Sequence, residues 1–81
     1  MSATGQEPFV VFGFQSTHDA LSAEAALDAA GLPLTVMPTP KALGALCGIA
    51  LRIAEPDRAD AETVLHDAGI EWSGSISILD R

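Results

Sequence analysis

Leu27-Asp28-Ala29-Ala30-Gly31-Leu32 returns 38 positions later as Leu65-His66-Asp67-Ala68-Gly69-Ile70, and this echo decides how the 81-residue chain is read. Each copy spells the end of a helix, because a glycine placed after an apolar stretch can take the left-handed backbone that stops a helix at no steric cost. A helix stop repeated in this way implies two similar halves.

Working back from the first stop, Ala20, Ala23, Leu27 and Ala30 recur at helical spacing while Asp19, Ser22 and Asp28 point away from them. Ser16 or Thr17 is placed to cap this helix, with Asp19 standing where a capping box puts its carboxylate. In the second half, Glu55-Pro56-Asp57 opens a helix with a proline and two acids near the positive end of its dipole, and Ala61, Val64, Leu65 and Ala68 form the apolar stripe. Strand-like runs flank both helices. Phe9-Val10-Val11-Phe12-Gly13-Phe14 is apolar throughout, as in a central strand buried on both faces. Residues 32–37 give a second strand. Ile49, Leu51 and Ile53 alternate with Ala50 and Arg52, which puts Arg52 on the open face of a third. Residues 70–79 supply the last, in which Ile76 and Ile78 alternate with Ser75 and Ser77 and Gly74 marks a bend or bulge.

Strand, helix, strand, loop, strand, helix, strand is the order of an α+β, ferredoxin-like split βαβ sandwich: a four-stranded antiparallel sheet with two helices on one face. A doubly wound nucleotide-binding fold would need more strands and a glycine-rich first turn, whereas Gly13-Phe14-Gln15-Ser16-Thr17 has no second glycine. Residues 1–7 read as a fraying polar tail and 8–81 as one domain, of a size that buries only about 60% of its unfolded surface.

The net charge of −7, with Lys41, Arg52, Arg58 and Arg81 as the only lysine and arginines, argues against nucleic acid and anionic membranes as partners. No apolar run nears the roughly 20 residues of a membrane helix, and the N-terminus lacks the basic and apolar regions of a signal peptide. A lone cysteine cannot form an internal disulfide and fits a reducing compartment, so a cytoplasmic protein is expected.

That cysteine lies in the stretch Pro38-Thr39-Pro40-Lys41-Ala42-Leu43-Gly44-Ala45-Leu46-Cys47-Gly48. Two prolines fix their own φ and disfavour the helical region in the residue before each, so the segment starts stiff and extended. Residues 41–46 have room for a turn or two of helix. Gly48 has no Cβ, so a backbone or small ligand can come close to the Cys47 sulfur. The residues leave two readings of Cys47 open. Between Leu46 and Ile49 it suits a small core hydrophobe; in a loop with Lys41 nearby and Arg52 as a second cation, it suits a thiol drawn toward its thiolate.

Other groups carry less. His18 falls in the first turn of the first helix, with a link to the loop conceivable, and His66 lies on the polar side of the second. Neither makes a metal-ligand spacing with Cys47, so no metal and no cofactor are expected. Glu24 sits near the apolar side of the first helix as a boundary salt-bridge partner. Trp72, between Glu71 and Ser73, either stands exposed and marks an interface or, the reading favoured in so small a domain, covers the edge of the core.

Phe12, Ser16-Thr17-His18-Asp19-Ala20, Glu24, the Ala-Gly helix end, Pro38-Thr39-Pro40, Cys47-Gly48 and Arg52 together resemble a bacterial family of small selenium/sulfur carrier-like domains, over about residues 10–79. The resemblance implies the same ferredoxin-like fold and a non-enzymatic role, accepting sulfur or selenium on Cys47 as a persulfide or perselenide from a donor protein and passing it to an acceptor protein. Lys41 stands where arginine is usual, which keeps the charge but loses bidentate anion recognition. Gly44-Ala45-Leu46 replaces a more polar approach, which opposes thiolate formation. From a different class, a small regulatory or interaction module would dimerise through its sheet, use the proline-rich loop for docking and keep Cys47 structural. An enzyme would need His18 or His66 within hydrogen-bond reach of Cys47.

Overall fold

The computed structural model describes residues 7–43 and 48–80, with β1 (Glu7–Gly13), α1 (Thr17–Ala29), β2 (Thr35–Pro38), β3 (Ile49–Ala54), α2 (Arg58–Asp67) and β4 (Gly74–Asp80) in chain order. Residues 1–6 of the expected tail and Arg81 lie outside the described residues. The strands form one antiparallel sheet in the order β2-β3-β1-β4. Each helix connection therefore skips one strand, as the split βαβ arrangement requires.

β1 is central because its side chains are apolar on both faces. Val10 pairs with Ile53 and Phe12 with Leu51, and these four residues face the helices. They pack with Phe14, Ala20, Ala23, Leu27, Ala61 and Leu65 into one core whose members are at most 1% exposed. Alanines supply much of the helix side, so the helices lie close on the sheet. Trp72 closes the core's edge, its ring 5.4 Å from that of Phe12 and nearly perpendicular to it.

The helix ends bear out the echo in the sequence. Gly31 (φ 79°) and Gly69 (φ 73°) are both left-handed. At the first, Leu32 N–H donates to the Leu27 carbonyl at 3.0 Å and Gly31 N–H to that of Asp28; at the second, Ile70 N–H donates to Leu65 at 2.9 Å and Gly69 N–H to His66. Both are Schellman motifs, which satisfy carbonyls that a helix end leaves open. At the start of α1, Ser16 Oγ accepts from Asp19 N–H at 3.1 Å.

Four elements differ in their boundaries from expectation. β1 runs from Glu7, the last residue of the expected tail and paired with Asp80, to Gly13, which leaves Phe14 outside the strand. β2 starts at Thr35, because Leu32 is held by the Schellman motif and Pro33 has no N–H to donate; Leu32 and Leu34 instead pack against the core. Glu55–Asp57 forms a 3-10 turn and α2 begins only at Arg58. β4 begins at Gly74, since Ile70 completes the second Schellman motif and Trp72 turns onto the core. Ser73, in a bend just before β4, donates its N–H to the Gly13 carbonyl at 2.8 Å, beside the Gly13–Gly74 pair that ends the register.

The serines of β4 face the helices. Ser77 lies opposite Val10 and Ser75 opposite Phe12, and the Arg58 guanidinium of α2 donates to both hydroxyls, at 3.2 and 3.3 Å. Arg58 also pairs with Glu62 at 3.2 Å and Glu55 at 3.6 Å; hydrogen bonding to Glu62 is the main cause that raises its pKa. Ile76 and Ile78 consequently lie on the open face, opposite Val11 and Phe9.

Candidate functional site: the loop between β2 and β3

The register gathers the candidate residues at one end of the sheet. Met37, Ala50, Gly13 and Gly74 form a row across all four strands there, and the loop, the start of α1 and the end of α2 follow from that row. His18, in the first turn of α1, and His66, in the last turn of α2, are both exposed at this end. His66 stands 3.8 Å from the Asp67 carboxylate.

The loop is pinched at its base. Pro38 pairs with Ile49, and one step further Thr39 N–H donates to the Gly48 carbonyl at 3.2 Å. Pro40 then turns the chain into a 3-10 turn, Lys41–Leu43, closed by Leu43 N–H donating to the Pro40 carbonyl at 3.0 Å. Cys47, with residues 44–46, lies outside the described residues, as does that part of the expected helix.

Leu43 anchors the turn on the open face of the sheet. Gly13 and Gly74, directly opposite each other, leave a floor without Cβ atoms. A Cβ on Gly13 would come within 3.2 Å of Leu43 Cδ1, and one on Gly74 within 3.5 Å of Leu43 Cδ2. The alternation of the strands offers no sign of this seat, because Gly13 and Gly74 are 61 positions apart and meet only through the β1–β4 register.

Around this anchor the expected loop residues take different positions. Lys41 and Pro38 are exposed, Thr39 and Pro40 half-buried. Gly48 is exposed, and among the described residues a Cβ built on it meets no atom within 4 Å. Arg52 is on the open face as expected, the face that also holds Leu43. Its guanidinium lies 3.8 Å above the Phe9 ring, and Phe9 pairs with Ala54, further from the loop than Arg52 itself. The headgroup is thus directed away from the loop. Glu24 is half-buried and has no ion-pair partner among the described residues, against the expectation of a boundary salt bridge.

Among the described residues, no three His, Cys, Asp or Glu side chains come together as metal ligands, and no helix is long and apolar enough to cross a membrane.

A family model described as "Putative Se/S carrier protein-like" matches residues 9–77, a span that includes the whole loop and both helices. A search of curated proteins finds no match.

Proposed function

We propose, from the premise that the chain belongs to the Se/S carrier protein-like family, that it carries sulfur or selenium on Cys47 between a donor and an acceptor protein. The observation that carries the reading is that the family match spans the pinched loop holding the chain's only cysteine. The exposure of Gly48, the next residue in the chain after Cys47, supports it, because a transfer thiol must be reached by two partners in turn. In the reaction the Cys47 thiolate attacks the terminal sulfur of a donor persulfide. The donor's S–S bond breaks and its electron pair stays on the donor as a thiolate, while a new S–S bond forms on Cys47. No external oxidant is consumed, and the reverse roles deliver the atom to an acceptor. Lys41 favours the anionic sulfur, Pro38, Thr39 and Pro40 stiffen one side of the loop, and Gly48 keeps the other side clear. His18 stays a bystander at the same end of the sheet. The chain works without a cofactor in a reducing, cytoplasmic setting, where the thiol stays available between transfers.

The test is the pH dependence of Cys47 alkylation, native against denatured, followed by mass analysis after incubation with a protein persulfide. The carrier reading expects native reactivity with a midpoint below about 8.5, a single added sulfur on the wild type and none on Cys47→Ser. Protection by orders of magnitude at every pH, or equal labelling of the Cys47→Ser protein, overturns it.

A second reading is favoured by one observation, the placement of Ile76 and Ile78 on the face away from the helices. In it the chain is an interaction module that dimerises through its sheet, with Cys47 structural. Sedimentation equilibrium that returns a monomer at all concentrations removes this alternative.

A further inference from the structure

Away from the loop, a groove of about 510 Å³ runs between α1 and the start of β2, lined by Leu21, Glu24, Asp28, Leu32, Pro33 and Leu34. Its surroundings combine three features. The first is exposed aliphatic surface: Leu21 is 50% and Val36 46% exposed, the large apolar residues that stand out furthest among the described ones. Val36 follows Leu34 along the chain and, opposite Leu51, faces the helix side of the sheet.

The second is an open strand edge. β2 is the outer strand and, among the described residues, pairs only with β3. The Thr39 to Gly48 hydrogen bond fixes the phase of that ladder: Thr39, Met37 and Thr35 direct their N–H and C=O groups at β3, and Val36, between them, directs its own outward. Pro38 shares the outward phase, where its missing N–H costs no ladder bond. The outer edge thus offers one full donor and acceptor pair, at Val36, in a strand of four residues. That is too short to recruit a long strand but enough to align a short extended segment.

The third is charge. Glu24 and Asp28 stand one helical turn apart on the groove wall, and neither has an ion-pair partner among the described residues. Among the described residues, no lysine or arginine lines the groove. In a chain of net charge −7, a segment that brings its own cation gains both local pairing and long-range attraction.

We infer that the groove between α1 and β2 docks a short extended segment of a partner protein that alternates basic and aliphatic residues. The segment's backbone bonds to Val36, its aliphatic side chains cover Leu21 and Leu34, and its lysine or arginine meets Glu24 and Asp28. This inference stands apart from the carrier reading, because it concerns binding and makes no use of Cys47. β2 leads directly into the loop, so a segment held here lies alongside the strand that presents it.

The test uses the full chain, ¹⁵N-labelled, titrated with the blocked peptide Ac-Thr-Lys-Val-Arg-Val-Thr-NH2 and with the same peptide carrying glutamate for lysine and arginine. The basic peptide is expected to shift the amides of Leu21, Glu24, Asp28, Leu34 and Val36 saturably, with a weak Kd of about 1 mM. Raising salt from about 50 mM to about 500 mM weakens it, and the acidic peptide leaves these amides unmoved. The double variant Glu24→Lys, Asp28→Lys loses about tenfold in affinity for the basic peptide and gains binding of the acidic one. Leu21→Ser, at an exposed site, weakens binding of the basic peptide without touching the fold. Unsaturable shifts, shifts confined to the open face of the sheet, or a charge-swapped protein that binds as before would overturn the inference. Groove shifts that depend on protein concentration without peptide would also overturn it, naming a second copy of the chain as the occupant.

Discussion

Leu43 meets the sheet where two glycines oppose each other, and at this scale a single methyl group decides how the loop sits. In Gly13→Ala the new Cβ would lie 3.2 Å from Leu43 Cδ1, tighter than ordinary contact, so the leucine or the turn must move. We expect a loss of about 1 kcal/mol in urea unfolding, recovered in part when Leu43→Ala is added. A double-mutant cycle measures this; strict additivity of the two changes would show that the contact does not hold the turn. Arg52 illustrates the same scale in the other direction. Its place on the open face was legible from the alternation of Ile49, Leu51 and Ile53, but the direction of its headgroup was not, because a long side chain is aimed by the partner it finds, here the Phe9 ring.

The two helices end alike, and their equivalence is an element-scale property that can be measured. At Gly31 and Gly69 an added Cβ meets nothing within 4 Å, so any cost of alanine is in the left-handed backbone alone. Gly31→Ala and Gly69→Ala should each destabilise by about 1–2 kcal/mol. The antiparallel sheet runs α1 and α2 in opposite directions, which places the two glycines at opposite ends of the domain, and the double variant should show the sum. Unequal costs in chemical denaturation would break the structural equivalence. β4 shows why strand limits are harder to read than helix ends. Its alternation of serine and isoleucine was plain, yet alternation fixes only that the two sets face opposite ways. Arg58, reaching from α2 to Ser75 and Ser77, puts the polar set on the helix side.

One core serves both halves, so the whole molecule should unfold in a single transition, with roughly 0.05–0.15 kcal/mol of stability per residue. That cooperativity separates the two readings of Cys47. Leu65→Ala, at a fully buried site, should cost about 2–5 kcal/mol and raise the unfolded fraction at least about thirtyfold. A carrier thiol is reached in the native state, so its alkylation rate should hardly change. A packed thiol is reached only by opening, and its rate should rise by the same factor as the unfolded fraction. Measuring alkylation of the two proteins at one pH, below the unfolding transition, gives the answer directly.

The sequence by itself determined the number, type and order of the elements, the helix stops, the central place of β1 and the open-face side of Arg52. These follow from local conformational preferences and from periods of 3.6 and 2, which act over a few residues. Only the tertiary structure decided the glycine floor under Leu43, the helix-side placement of Ser75 and Ser77 and the outward-facing Val36. Each depends on which residues the strand register sets side by side across tens of positions, and pairing at that distance leaves no periodic trace in the chain.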